Sequence, residues 1–387
     1  MTITASAPSA LIEAPAGLEG VIAARTRIGD VRGREGFYHY GPYDAVELNH
    51  KRTLEDVWHL MLHGHLPSQA ELTEFSATVA ALRVLGAEQL AQLQGIASPG
   101  SFSALPALRT AISLLAQQAH LRSWIDAPRE EAFASLLEIS AITPTVMLAL
   151  HRMSQGLEPV PPRADWSTAK NYLWMLNGTE PSDLQVWALE RYLISTIDHG
   201  FNSSTFTARV ITSTGADVGS AIVGAIGALS GPLHGGAPSR ALDMLDAIGS
   251  PEHTEAWVRA AVTGGDRIMG FGHRIYKGED PRSTLLREVA QQLGGPLAEF
   301  ALTVEATITR VLAELKPGRE LHTNVEFYAG VVLDACGVPR EMFTPTFACS
   351  RVIGWSAHIL EQIDNNRLIR PASLFIGQSP PQPIPDR

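Results

Sequence analysis

An all-α fold is what the sequence predicts, on three observations. Apolar residues recur three and four positions apart over most of the chain, the spacing that one buried helix face requires. Cap residues bracket many of those stretches. Strand-like alternation is scarce, with weak candidates only at 21–24 and 37–40.

The elements follow in order. TLEDVWHLMLHG begins with Thr53 as an N-cap and stops at Gly64. SQAELTEFSATVAALRVLG opens with the capping box Ser68–Glu71 and continues with Leu72, Phe75, Val79 and Leu82 on one face. DLQVWALERYLISTIDHG reads the same way. In DVGSAIVGAIGALSG, Val218, Ile222, Ile226 and Leu229 share a face, and Gly224 and Gly227 let a neighbouring helix come close. GLEPVPPRADWS is a Pro-rich connection, and GQSPPQPIPDR reads as a tail without regular structure. No repeat of 20–50 residues is visible.

The 387 residues are 45% hydrophobic and 18% charged, and at roughly 100–200 residues per domain they suit two globular domains. The net charge of −10 argues against nucleic-acid or anionic-membrane partners, since phosphate surfaces need positive charge. Cys336 and Cys349 lack CxxC spacing and sit among apolar neighbours, so both are expected buried and reduced, which fits a cytoplasmic protein. MTITASAPSALIEAPAG has neither the positive nor the apolar region of a secretory signal. No run of about 18 apolar residues suggests a membrane span.

Walker-A, GxSxG and HExxH patterns are absent, and GFGHRIYKG carries Ile275 where a dinucleotide fingerprint needs its third glycine. His59 and His63 lie one helical turn apart with His65 following. Without further ligands in the pattern they read as ordinary helix-face and turn histidines, and no metal is expected.

Three segments carry chemistry. In GPLHGGAPSRALDML, glycines and Pro232 surround His234, and Pro238 marks a new helix. A histidine at a helix N-terminus favours the neutral imidazole, which can donate one N–H to a developing oxyanion. In IMGFGHRIYKGEDPRSTLL, His273 follows Gly270 and Gly272, and Asp280 and Pro281 read as N-cap and first helical residue. Residues 266–288 hold five Arg/Lys against four acids, so loop amides with Arg274 and Lys277 suit phosphates. In TNVEFYAGVV, Glu326 is the second residue of a helix capped by Asn324, with Tyr328, Val331, Val332 and Ala335 as its packing stripe. Gly330 clears space one turn on. The helix terminus is expected to keep Glu326 ionised and able to accept a proton. Two glycine-flanked histidines, a carboxylate and spare arginines suit proton abstraction beside a carbonyl.

These segments resemble citrate synthase. DHGFNSSTFTARVITSTGADVGSAIVGAIGALSGPLHGGA and GFGHRIYKGEDPRS look like that family's two histidine motifs, in order and at the expected separation. GLEGVIAARTRIGDVRGREG, LEDVWHLMLHGHLPSQAEL and SRVIGWSAHILEQ…LIRPAS resemble its other blocks, so the likeness covers about residues 18–375.

The resemblance implies a two-domain multihelical homodimer. Residues 1–17 would be a flexible N-terminus, 18–234 with 336–375 a large helical domain, 235–335 a small mobile domain and 376–387 a Pro-rich tail. It implies condensation of acetyl-CoA with oxaloacetate and water to citrate and CoA, with CoA thioester as substrate and no cofactor. His234 would polarise the thioester carbonyl, His273 would protonate the ketone, and Glu326 would be the base. His199, Arg282 and Arg351 would bind oxaloacetate or citrate, and Arg370 would reach the partner subunit's site. Met269, Gly270, Phe271, Gly272, Arg274 and Lys277 would hold coenzyme A. Two positions depart from the pattern: the base is usually an aspartate, one methylene shorter than Glu326, and His39 stands where an arginine is common. Alternatives are 2-methylcitrate synthesis from propionyl-CoA and a catalytically silent homologue.

Overall fold

The computed structural model describes residues 12–97, 102–235, 237–273, 275–378 and 380–384, with the backbone alone at 237–239. Short strands β1 (Gly29–Arg32), β2 (Phe37–Tyr40) and β3 (Tyr43–Asp44) form an antiparallel sheet in which Gly29 faces Tyr40 and His39 faces Asp44. Only the stretch at 37–40 was visible as strand in the sequence. Residues 21–24 are irregular, and GDVR is too short to show alternation. Tyr38 and Tyr40 point inward from β2, and the Tyr40 hydroxyl donates to the carbonyl of Ile194 at 2.9 Å. The sheet thereby braces the start of the DHGFN loop.

Sixteen helices follow among the described residues. The first eight are α1 (Ala45–Lys51), α2 (Leu54–His63), α3 (Gln69–Leu82), α4 (Ala87–Ile96), α5 (Ala104–Gln118), α6 (Arg129–Ser154), α7 (Thr168–Asn177) and α8 (Asp183–Thr196). Both expected caps on α2 and α3 form: Thr53 with Asp56, and Ser68 with Glu71, are reciprocal capping boxes, and Gly64 ends α2 in the left-handed region. The 26-residue α6 contains an 18-residue window of mean hydropathy 1.7, long and apolar enough to span a membrane, yet 78% of that window is buried, because α3, α4, α5, α7 and α16 (Phe343–Asp364) pack around the helix. It is the central core helix.

α9 (Ser203–Ser213) and α10 (Val218–Leu229) form an intimate pair. A Cβ on Gly224 would lie 2.1 Å from Ile211 Cδ1, so glycine is what permits this approach. Val218, Ile222, Ile226 and Leu229 are all buried. α11 (Ala237–Ile248), α12 (Thr254–Gly264), α13 (Pro281–Leu293), α14 (Pro296–Leu315) and α15 (Val325–Ala335) precede α16. Here α11 and α13 pack on α15, α12 packs on α14, and α13 and α15 both reach α8. Cys336 and Cys349 are buried free thiols.

The candidate active site

Three chain segments deliver histidines to one cavity of about 410 Å³. His199 comes from the turn after α8, His234 from the turn after α10 and His273 from the loop before α13. Glu326 from α15, Arg282 from α13 and Arg351 from α16 complete the lining. The sequence-expected catalytic set and three of the four expected anion-binding residues are therefore brought together.

His234 lies in a hydrogen-bonded turn, its N–H donating to Gly231 O at 2.9 Å. Its Nε2 accepts the backbone N–H of Ser204 at 3.3 Å and lies 2.8 Å from the Ser204 hydroxyl. An amide can only donate, so Nε2 carries the lone pair and Nδ1 the proton. Burial, aided by Arg351, pushes its pKa down to about 4, while a hydrogen bond to its own backbone acts the other way.

His273 is fixed in the opposite tautomer. Its Nδ1 accepts the amides of Ile275 at 3.0 Å and Tyr276 at 3.1 Å, which leaves the proton on Nε2. The 3.4 Å separation of that Nε2 from Arg282 Nη2 is thus two donors side by side, both offered to the cavity. Burial, then Arg282, lower its pKa to about 4. His199 lies 3.0 Å from the Tyr276 hydroxyl through Nε2, and burial together with Arg282 and His273 holds it well below the ordinary imidazole range. All three rings are neutral at pH 7.

The cavity's charge comes from its arginines. Arg282 is 4% exposed and grips Asp280 through Nε at 3.0 Å and Nη2 at 2.8 Å. Burial opposes its charge, but Asp280 more than offsets this, and its pKa is raised. Arg351 is 2% exposed; its Nε donates to Thr196 O at 2.8 Å and its guanidinium lies 4.5 Å over Phe347. No described residue hydrogen-bonds its terminal nitrogens. Burial lowers its pKa to about 10, so it stays charged. A buried guanidinium with an unused fork is built for a carboxylate.

Glu326 differs from expectation. Asn324 caps α15 by accepting the Glu326 amide at 3.1 Å, as the sequence suggested. The helix terminus does not keep the carboxyl in the usual ionised range, however. Burial raises its pKa to about 7, with Arg282 and Arg240 pulling down and Asp280 pushing up. Desolvation outweighs the first-turn dipole here, because the carboxylate is half-buried and no described residue donates to it. A base poised near neutrality is better matched to proton transfer than one at 4.5.

The loop expected to hold coenzyme A lies beside the cavity. Gly270 and Gly272 have positive φ, 76° and 81°. Gly272 N–H donates to His322 O at 2.8 Å and Asn324 N–H to Gly270 O at 2.9 Å, which pins this loop to the α15 cap. The amides of Phe271, Gly272, Ile275, Tyr276 and Lys277 are all used within the chain, so anion binding there falls to side chains. A second cavity of about 630 Å³, lined by Lys277, Arg319 and His322 among others, meets the first at Gly272 and His273. Met269 and Phe271 are half-buried and line neither cavity. Arg274 lies outside the described residues. Arg370 is exposed and lines no part of its own chain's cavity.

Sequence reasoning missed Ser204, Tyr276 and the second role of Asp280. Asp280 was read as an N-cap, which it is, but its Oδ2 also accepts the Val325 amide at 3.1 Å and so joins Arg282 to the first turn of α15. Nothing local in FNSSTF marks Ser204, whose partner is 30 residues away.

Comparison with known proteins places the chain. The family described as "Citrate synthase, C-terminal domain" matches residues 17–372. "Citrate synthase 2" of Bacillus subtilis is 38% identical over 375 residues, covering 95% of this chain and 97% of the relative. The citrate synthase of Deinococcus radiodurans is 36% identical, covering 93% of this chain and 95% of the relative. Among solved structures, citrate synthase from Thermotoga maritima superposes with a TM-score of 0.83 at 33% identity, covering 96% of this chain and 98% of that one. The Thermoplasma acidophilum citrate synthase, solved as a ternary complex with carboxymethyl coenzyme A and oxaloacetate, gives 0.87 at 27% identity, covering 95% and 97%. With a family match over nearly the whole chain and these relatives beside it, the chain belongs to the citrate synthase family.

Proposed function

We propose that this enzyme condenses acetyl-CoA with oxaloacetate and water to give citrate and CoA, and that the cavity described above is where it does so. The observation that carries the assignment is the combination in one cavity of a carboxyl with pKa about 7, two neutral histidines fixed as single N–H donors, and a buried arginine fork without a partner among the described residues.

The roles follow from the tautomers. Arg282, Arg351 and His199 hold the oxaloacetate carboxylates. Glu326 takes a proton from the acetyl methyl group, and the C–H electron pair becomes the enol double bond. His234 Nδ1–H stabilises the developing oxygen charge. The enol carbon then bonds to the ketone carbon of oxaloacetate, while His273 Nε2–H protonates the ketone oxygen. Water adds its hydroxyl to the acyl carbon as the C–S bond breaks, its remaining proton returns to His273 Nε2, and the proton on Glu326 leaves on the CoA thiolate. No step in this sequence calls on a metal or organic cofactor. Glu326 is one methylene longer than aspartate, and the first turn of α15 that presents it is held by Asp280 and Asn324.

Coenzyme A would run from the Lys277–Arg319 cavity into the catalytic one past Gly272. Met269, Gly270, Phe271, Gly272, Arg274 and Lys277 are the residues we assign to it. We divide the chain into a large domain of 18–234 with 336–375 and a small one of 235–335, supported by the mutual packing of α11 to α15. Leu233, at the cavity mouth, is 99% exposed. That suits an open cleft which closes over substrates and excludes water. We also propose a cytoplasmic homodimer in which Arg370 reaches its partner's site.

Release of CoA thiol decides the matter. Oxaloacetate is supplied with acetyl-CoA or with propionyl-CoA to wild type, Glu326→Asp and Glu326→Gln. We expect acetyl-CoA to be preferred, the aspartate variant to retain activity and the amide variant to lose most of it. A strong propionyl preference makes the chain a 2-methylcitrate synthase, and an undiminished Glu326→Gln removes Glu326 as base.

A further inference from the structure

Outside the catalytic cavity, the turn between α2 and α3 brings His59, His63, His65 and Glu71 together. His59 is 4% exposed, and its ring stacks on His63 with centroids 4.1 Å apart. One nitrogen from each of His59 and His65 and one oxygen of Glu71 lie within 4.8 Å of one another.

The hydrogen bonds around these rings do not balance. His59 Nδ1 lies 3.1 Å from His65 O, a carbonyl that only accepts, so Nδ1 holds the proton and Nε2 the lone pair. His65 has an acceptor against each ring nitrogen: His63 O is 3.3 Å from Nδ1 and Glu71 Oε1 is 3.3 Å from Nε2. A neutral imidazole has one N–H for two acceptors, so the contact between Nε2 and Oε1 is where a cation satisfies both.

We propose that His59 Nε2, His65 Nε2 and Glu71 Oε1 bind one zinc-like divalent transition ion, with a fourth position left to water. Two imidazoles and a carboxylate are a borderline-soft donor set suited to zinc. Tetrahedral bonds of 2.0–2.1 Å put donors about 3.4 Å apart, and His65 Nε2 and Glu71 Oε1 already sit 3.3 Å apart. The second shell exists as well: carbonyls of His63 and His65 take the other ring N–H groups and orient both ligands. Glu71 keeps Oε2 for the α3 cap, accepting Ser68 N–H at 2.7 Å, so Oε1 is free to ligate. Arg129, a neighbouring positive charge, is held by Asp364 at 2.5 and 2.9 Å. Such an ion would tie the end of α2 to the start of α3. None of these residues lines the catalytic cavity.

The test uses the full chain, stripped by chelator and titrated with Zn²⁺ by calorimetry and with Co²⁺ by absorption. We expect one equivalent per chain, a higher Tm with Zn²⁺, and binding weaker by at least about tenfold in His65→Ala and in Glu71→Gln. His65 is exposed, and glutamine keeps an acceptor oxygen for the α3 cap, so both variants should fold with wild-type circular dichroism and CoA release. Absence of stoichiometric binding by the wild type overturns the proposal and leaves a proton on His65 as the occupant. Binding unchanged in both variants, but lost in His234→Ala, overturns it in favour of the catalytic histidines.

Discussion

The backbone N–H of Ser204 donates to Nε2 of His234 at 3.3 Å, so one amide at the start of α9 decides which nitrogen of that histidine carries the proton. The Ser204 hydroxyl adds a second contact at 2.8 Å and also accepts the indole N–H of Trp355 at 3.1 Å. Ser204→Ala keeps the amide and loses the hydroxyl. The tautomer survives, but the ring loses its closest anchor. We expect kcat to fall roughly 10- to 100-fold, as small misplacements of a catalytic group do, with KM for oxaloacetate unchanged. The orphaned Trp355 N–H should cost about 1–3 kcal/mol in urea unfolding. Unaltered kcat would show that the amide alone positions His234.

As the proposed base, Glu326 sets the pH behaviour. A base with pKa about 7 is protonated below that value, so kcat/KM for acetyl-CoA should fall about tenfold per pH unit on the acid side of 7. Glu326→Gln should lose roughly 10²- to 10⁴-fold in kcat and abolish that limb. Stability moves the other way. The folded-state pKa is raised from 4.5, so the native state binds the proton more tightly, and ionising Glu326 destabilises it progressively between about pH 4.5 and 7. At pH 8 the amide variant should therefore be more stable than wild type, by up to about 3 kcal/mol, and at pH 4 about equal to it. Equal stability at both pH values would place the carboxylate in water.

What could be read from the sequence, and what could not, divides by distance along the chain. Thr53, Ser68, Asp280 and Asn324 were legible as caps because a cap and its amides lie within three residues. His234, His273 and Glu326 were legible as chemical types in their motifs, His199, Arg282 and Arg351 only through the family resemblance, and the cavity gathers all six. The ionisation of Glu326 was not legible, since burial comes from segments folded over it and outweighs the local helix terminus. Nor was the His65–Glu71 conflict: helical spacing pairs His59 with His63, whereas the turn after Gly64 swings His65 towards α3. β1 escaped because four residues, GDVR, show their alternation only once Tyr38 and Tyr40 supply a partner.

Asp280 holds two parts of the site with one carboxylate. Oδ1 and Oδ2 take the Arg282 fork, and Oδ2 also takes the Val325 amide at 3.1 Å. Asp280→Ala leaves a buried guanidinium unpaired, a change that costs about 3–5 kcal/mol. It also frees the first turn of α15, so we expect KM for oxaloacetate to rise and kcat to fall together. Asp280→Asn keeps an acceptor for the amide and should restore more of kcat than of oxaloacetate affinity. If both variants lose only stability, with kinetics intact at low temperature, Asp280 acts in folding alone.

Gly270 is constrained by conformation and by space at once. Its φ is +76°, and an added Cβ would lie 2.9 Å from Phe327 Cβ and 3.3 Å from Phe327 Cα. The first contact involves α15 itself, so relief requires the helix to move. Gly270 O also accepts the Asn324 amide at 2.9 Å, which ties any shift to the cap that sets Glu326. Gly270→Ala should destabilise by about 1–3 kcal/mol through backbone strain and overpacking, and should lower kcat through the displaced base. Gly278 lies eight residues on, has open space around its Cβ position and no positive φ. Gly278→Ala should thus leave Tm close to wild type. Equal losses in the two variants would trace the effect to the loop's general flexibility and not to the contact with Phe327.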